Sequence, residues 1–254
     1  MSMTIALALS AQAATFNNAS LKGSYSFLTN LSTANVNTPQ FAMVGVMTFD
    51  GVGGVTGSYT SISHDAVQTG ALGGTYSVKS NGTGTITLTT GSSAQFAITL
   101  NSTAAKVAHG LQLLQINDSN NEIISGTAVQ QATTGTYSVA SLKGTFTFQY
   151  NPRTADVTQP EDGGIGVFTF DGKGNIKGSQ TIMFDGQLFT GSGSFTYTVN
   201  SDGSGAITPT GKGPNIAFAL NSVAAGLAKG LQFLDTNTSD GSGNLVITGS
   251  AVKQ

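Results

Sequence analysis

The chain has no cysteine and no tryptophan in its 254 residues. The first absence removes disulfide staples, thiol nucleophiles and thiolate metal sites. The core must therefore hold without cross-links, as domains above about 100 residues can. Charge is scarce too: Asp, Glu, Lys and Arg make up 9% of the chain, where about 25% is usual. The formal net charge is −2 and the lysines and arginines form no basic stripe, so a nucleic-acid footprint is excluded. No apolar run reaches the about 20 residues of a membrane-spanning helix. A transmembrane barrel is disfavoured by polar Ser/Thr faces and by aromatics at 8%, too few for two interfacial girdles.

The inventory for catalysis is correspondingly thin. There are two histidines. His64 stands beside Asp65, but neighbours along a strand point to opposite faces, which is wrong for a base and its orienting carboxylate. His109 reads as a surface residue. The oxygen-rich stretch from Asp235 to Asn244 lacks the glycine and glutamate that a calcium loop needs at its sixth and twelfth positions, and reads as a flexible hairpin. The glycine-rich stretches lack the Lys-Ser/Thr of a phosphate loop. No catalytic residue, metal or cofactor is assigned.

What is present is glycine, at 34 residues, a wealth of Ser, Thr and Asn, and a 39% hydrophobic fraction in regular alternation. A hydroxyl-rich, weakly charged surface suits an exported β protein. The N-terminus carries an apolar run, Met3 to Leu9, and a small-x-small site at Ala11-Gln12-Ala13. Residues 1–13 are therefore expected to be the remnant of a signal peptide, although no basic residue precedes the run. The expected location is secreted or periplasmic.

The dominant feature is a duplication. "SLKGSYSF" from Ser20 returns as "SLKGTFTF" from Ser141, and "TFDGVGGVTGS" from Thr48 as "TFDGKGNIKGS" from Thr169. "YSVKSNGTGTIT" from Tyr76 returns as "YTVNSDGSGAIT" from Tyr197, each at an offset of 121. Further on, "HGLQLL" and "KGLQFL" match at an offset of 120, and "SGTAVQQ" and "TGSAVKQ" at 123. A period near 120 residues suits a whole domain rather than a solenoid unit. The expected domains are 14–132 and 133–254.

Within each copy the pattern has period two. Tyr25 and Phe27 share one face of "SYSF", and Phe146 and Phe148 share one face of "TFTF". Asn-Gly and Asp-Gly at Asn81 and Asp202 mark tight hairpins. Eight strands are expected in the first copy, near residues 20–29, 41–50, 54–63, 71–80, 83–90, 94–101, 110–117 and 122–130. Pro209 replaces Leu88, so its strand should be shorter or at an edge. "NSTAAKVAHG" and "NSVAAGLAKG" suggest a turn of helix capped by Ser102 and Ser222 and stopped by Gly110 and Gly230. Eight sequential strands with short connections favour closure, which removes two unpaired edges. The expected fold is all-β, two tandem eight-stranded antiparallel up-and-down barrels, with two β-sandwiches as the alternative.

The opening "LKGSYSF" of a 120-residue meander resembles the lipocalin- and avidin-type barrels, which begin on a Gly-x-aromatic strand. The phrases "LKGxYxF", "FTFDGxGN" and "GTYTVNxDGxG" also resemble secreted bacterial proteins of unassigned function. The resemblance implies the architecture. The lipocalin signature places Trp where this chain has Tyr25 and Phe146, so ligand-binding residues do not carry over from it.

Three functions follow as expectations. The first is a secreted, non-catalytic protein with a structural or adhesive surface role. The second is a binding protein for a small apolar ligand, lined by Tyr25, Phe27, Tyr76 and Phe96 in the first barrel and Phe146, Phe148 and Tyr197 in the second. The third is a cyclase or isomerase acting by shape. Two features add to them. The longest loops, after the first strand of each copy, bring Arg153, Asp156, Glu161 and Asp162 to one barrel mouth in the second copy alone. The strands "MVGVMTF" and "GIGVFTF" are apolar on both faces, which points to packing between the domains or to self-association through the strands of Val44 and Phe49 and of Val167 and Phe170.

Overall fold

Strict alternation turns one face of every strand inward, and in the computed structural model the strands close on themselves twice. The structure describes residues 15–32, 41–63, 66–104, 106–117, 123–131, 136–154, 162–184, 186–237 and 245–254. Barrel one is formed in sequence order by β1 (Lys22–Ser32), β2 (Phe41–Asp50), β3 (Gly54–Ser63), β4 (Ala66–Val78), β5 (Thr83–Thr90), β6 (Gln95–Ala104), β7 (Val107–Gln115) and β8 (Ile123–Gln130). Barrel two repeats the order with β9 (Lys143–Thr154), β10 (Asp162–Asp171), β11 (Asn175–Phe184), β12 (Gln187–Val199), β13 (Ser204–Pro209), β14 (Ile216–Asn221), β15 (Gly230–Asp235) and β16 (Leu245–Lys253). The last strand pairs with the first in each, Phe27 opposite Ala128 and Phe148 opposite Ala251. That pairing rules out the sandwich alternative, because a sandwich leaves edges.

The floors of the two barrels are built alike. A single 3-10 turn, Asn18–Ser20 or Val139–Ser141, leads into the first strand. Tyr76 donates its hydroxyl to the carbonyls of Asn18 and Leu21 at 3.0 and 2.8 Å. Tyr197 does the same to Val139 and Leu142, both at 2.8 Å. Above the floor the aromatic rings meet edge to face. Tyr25–Phe49 and Phe49–Tyr76 have centroids 5.5 and 5.0 Å apart, and Phe146–Phe170 and Phe170–Tyr197 lie at 5.3 and 5.2 Å. Such pairs add roughly 0.5–1.5 kcal/mol beyond their burial.

A third apolar core lies between the barrels. The outer face of β2 and β3 offers Ala42, Val44, Val46 and Ile62, and β14, β15 and β16 offer Ala217, Ala219, Leu234 and Val246. Polar side chains rim it. Ser58 Oγ donates to Asp202 Oδ2 at 2.6 Å, and Ser26 Oγ to Gln232 Oε1 at 3.3 Å. Gln232 Nε2 donates to Thr127 Oγ1 at 3.0 Å, and Gln131 Nε2 to the Leu220 carbonyl at 2.9 Å. The apolar stripe of Val44 is therefore spent on the second barrel. Phe49 and Phe170 point into their own barrels and are buried, so neither offers a surface for association. Only the stripe of β10 stays outside, with Ile165 63% exposed.

Two local expectations meet different outcomes. The helical turn does not form: β6 and β7 continue as a hairpin, with Asn101 opposite Gly110 and Ala104 opposite Val107. In the second copy the same stretch is a tight turn through Ala224 and Leu227, with Ser222 and Ala225 at positive φ. Pairing with a partner strand outweighs the weak helical preference of Ala-rich segments. Gly110 and Gly230 are not helix stops. The carboxamide oxygen of Asn101 or Asn221 lies where a Cβ would go. The strand ending at Pro209 is indeed shorter, six residues against eight in β5.

Candidate functional site

An eight-stranded barrel has just enough interior for side chains to fill it. Glycine at an inward position gives up that space, either to a void or to a neighbouring ring. In barrel two, inward-facing Gly178, Gly191 and Gly193 sit in the upper halves of β11 and β12, opposite the floor. They border a cavity of about 760 Å³ at the mouth of the barrel. A Cβ at Gly191 would meet nothing within 4 Å. The walls are Phe148, Tyr150, Phe168, Phe195, Phe233, Ile182, Ile216 and Ile247. Phe148 and Phe168 stack with centroids 4.2 Å apart, and Phe168 meets Phe195 edge to face at 6.0 Å. This volume lies within the roughly 300–1,000 Å³ of small-molecule sites, which are mostly apolar.

The polar groups gather at one side of the mouth. Gln180, Lys212, Asn215, Asp235 and Asn237 border the cavity there. Lys212 is exposed and Asp235 half-buried. Asp235 Oδ1 accepts the Asn237 backbone N–H at 2.8 Å, and the Thr236 N–H is donated to the Asn215 carbonyl at 2.6 Å. These bonds hold the ends of β14 and β15 together and set the rim. The arrangement can hold an apolar body against the aromatic wall, open to solvent along the upper half of β12, and meet a polar end at the rim.

Gly178 and Gly191 are glycine in barrel one too, at Gly57 and Gly70, but three neighbouring positions there carry large side chains. Leu72 stands where barrel two has Gly193, Tyr59 where it has Gln180, and Met43 where it has Gly164. Met43 and Leu72 belong to the barrel core at 5% and 3% exposure, and Tyr59 packs against it. The Tyr59 ring covers Gly70, the counterpart of Gly191, at 3.1 Å from a built Cβ. Opposite Met43 on β1 is Thr29; opposite Gly164 on β9 is Tyr150, whose ring lies over that glycine. Large and small have exchanged strands.

Of the residues expected to line a ligand site, only Phe148 borders this cavity. Phe146 and Tyr197 lie below it in the floor. Tyr25, Phe27, Tyr76 and Phe96 are buried in the core of barrel one, at 0, 0, 5 and 0% exposure. Burial pushes the Tyr25 hydroxyl well above the usual tyrosine range and that of Tyr76 up to about 12. Both therefore act as neutral donors, Tyr25 to the Ala108 carbonyl at 2.6 Å. Gly193, Tyr150 and Gln180 were missed, and the signal for them was a position-by-position difference between the copies; Gly178 and Gly191 are glycine in both copies and gave none.

His64, Asp65, Asp156 and Glu161 lie outside the described residues, as does most of the Asp235–Asn244 stretch. Arg153 and Asp162 fall on β9 and β10. His109 is exposed, with Nδ1 3.0 Å from Gln130 Oε1. Among the described residues, no three His, Asp or Glu side chains gather as a metal site. No helix among them is long and apolar enough to cross a membrane.

No protein-family model matches the chain. No curated protein matches it either. Among solved structures it is similar to kievitone hydratase from Nectria haematococca, at 8% identity and a TM-score of 0.27, over 92% of this chain and 89% of that one. It is similar to a protein of unknown function of the DUF3598 family from Nostoc punctiforme, at 11% identity and a TM-score of 0.28, over 92% and 96%. A third similar structure is a putative AttH from Nitrosomonas europaea, at 8% identity and a TM-score of 0.27, over 91% and 92%. Likenesses this distant carry no function. The two closed eight-stranded barrels themselves fit a calycin-like architecture.

Proposed function

We propose that the protein binds one small, mostly apolar molecule in the mouth of barrel two, with a polar group of that molecule left at the Gln180–Asn215 side of the rim. The observation that carries this reading is the open space at Gly191 beside Gln180 in the mouth of barrel two, where in barrel one the Tyr59 ring covers Gly70. A packed interior is the default for a small barrel, and natural cores leave few voids. A cavity of about 760 Å³ walled by aromatic rings is therefore a built feature, and carriage or sequestration of a ligand is its simplest use. Barrel one acts as a scaffold. The apolar N-terminal run and the weakly charged, hydroxyl-rich composition support export from the cytoplasm as the setting.

The test is titration with N-phenyl-1-naphthylamine, an uncharged fluorophore that brightens in apolar cavities. Wild type should bind it saturably at one site. Gly191→Leu places its side chain in open space and should weaken binding at least about tenfold, near 1.4 kcal/mol, with no loss of thermal stability. Equal binding by wild type and Gly191→Leu would remove the cavity from consideration. N-terminal sequencing of the protein from its host, finding a start before Ala11, would defeat export through this segment.

A further inference from the structure

The contact between the barrels joins two different faces. One is the outer face of β2 in barrel one; the other is the β14–β15–β16 face of barrel two. Each barrel, being a copy of the other, carries both. So each chain keeps one unused example of each. In barrel two the β2-type face is β10, where Ile165 and Val167 stand at the positions of Val44 and Val46, and Met183 at that of Ile62. Ile165 and Met183 are 63% and 48% exposed, and Val252 beside them 60%. In barrel one the β14–β16-type face is β6–β7–β8, where Leu114 and Ile123 stand at the positions of Leu234 and Val246. They are 45% and 57% exposed, with Ile116 at 53%. Ile165, Met183, Leu114 and Ile123, which stand at contact positions, are four of the ten large hydrophobics exposed among the described residues.

The polar rim is duplicated as well. Ser58 and Asp202 bond across the existing contact, and Ser179 and Asn81 hold those positions on the free faces. Ser26, Gln232 and Thr127 form a chain of bonds there, and Thr147, Gln112 and Ser250 hold the same places. Donor and acceptor capacity is retained at every one of these positions. Ser179, Asn81, Thr147, Gln112 and Ser250 are all exposed.

We propose that the chain assembles head to tail with further copies of itself, the β10 face of one molecule docking on the β6–β8 face of the next and repeating the contact that joins its own barrels. The two faces differ, so the contact is heterologous and does not close on itself as a two-fold dimer does; it continues as an open row or ends in a ring. Three positions lower its strength. Gln149 replaces Leu28, Gly163 replaces Ala42, and Thr99 replaces Ala219. The contact within the chain also gains from the short linker, which raises effective concentration. Association between molecules is therefore weaker than docking within one and depends on concentration.

The test is sedimentation of the full-length protein over a concentration series up to about 1 mM, the regime of weak contacts, with two variants. Ile165→Glu disables the β10 face and Leu114→Glu the β6–β8 face; both side chains are exposed, and circular dichroism checks their folding. Wild type should rise past the dimer with concentration. Each variant alone should remain monomeric. Mixed in equal amounts, they should form a dimer that grows no further, because each supplies the face the other lacks. A wild type that is monomeric throughout, a single variant that still assembles, or a mixture that stays monomeric overturns the proposal.

Discussion

Barrel one and barrel two share a floor and differ at the mouth and on the outer face. Both floors rest on a tyrosine that ties the entry turn to the barrel, Tyr76 in one and Tyr197 in the other. At the mouth, barrel one spends Met43, Leu72 and Tyr59 on its core, while barrel two presents glycine and glutamine to a cavity. On the outer face, β2 buries Val44 and Val46 against its neighbour, while β10 leaves Ile165 in solvent. The floor bonds are the same in both copies, and the sequence divergence falls on the mouth and the outer strands. One copy keeps a filled mouth and the other an open one.

The outer faces give the sharpest way to break that comparison. Val46→Asp would place an unpaired charge in the contact between barrels, where Val46 is 1% exposed. It should destabilise by about 3–5 kcal/mol, read as a lower urea midpoint or as separate unfolding of the two barrels. The same change at its counterpart, Val167→Asp, lies on a partly open surface and should stay within about 0.5 kcal/mol for the monomer. Equal losses would mean that the β10 face is also covered.

The mouths come next. Leu72→Ala removes a core side chain of barrel one and should cost about 2–5 kcal/mol, the upper end if the site does not collapse. The reverse step, Gly191→Leu in barrel two, fills open space and should hold or raise stability by a few tenths of a kcal/mol. If Leu72→Ala proved neutral, barrel one would not be packed at its mouth and the contrast between the copies would lapse.

Most of the architecture was legible and the cavity was not, for a physical reason. Alternation of Tyr25 with Phe27 and of Ile86 with Leu88 reports an inward face directly, and repeated phrases report duplication. An interior glycine in a strand has no such signature. It reads as a turn, a bulge or a weak strand, so Gly191 and Gly193 look like loop punctuation in "TGSGSF". The same limit explains the hairpin β6–β7, where pairing of Leu100 with Leu111 decides a segment whose local composition suggests helix. The aromatic residues were legible as inward but not as floor or wall. That depends on height along the barrel axis, which the period of a strand does not encode.

The floors should respond alike to alkali. Burial holds the Tyr76 hydroxyl at about 12 and raises that of Tyr197. Each binds its proton more tightly folded than unfolded, so its contribution is complete below about pH 10 and declines as pH climbs through the folded value. Tyr76→Phe and Tyr197→Phe each lose hydroxyl bonds to two backbone carbonyls and should cost about 1–2 kcal/mol near neutrality. Each variant should also flatten the alkaline arm of the stability curve. A variant with the wild-type arm would show that its tyrosine plays no part in alkaline unfolding.

The smallest effect lies in the turns below the floor, where the copies differ at two side chains, Val52 against Lys173 and Gly54 against Asn175. Asp50 Oδ1 accepts the N–H groups of Val52, Gly53 and Gly54 at 2.8 to 2.9 Å. Asp171 accepts those of Lys173 and Asn175 at 2.6 and 3.0 Å, and the Asn175 carboxamide adds a bond at 2.7 Å. Both carboxylates are held below the usual aspartate range, Asp50 chiefly by the Val52 N–H and Asp171, at about 2, chiefly by the Asn175 side chain. For each, the stabilisation is present above the ordinary aspartate value of 3.8 and lost as pH falls through the folded value. Both are open to solvent, so the consequence for stability is slight and the titration itself is the better readout. In a carbon-detected NMR titration, Asn175→Gly gives the second copy the residue that the first has at Gly54. It should raise the midpoint of Asp171 while leaving Asp50 unmoved. An unchanged Asp171 would mean that the backbone N–H groups of the turn, together with the Lys173 charge, account for the whole depression.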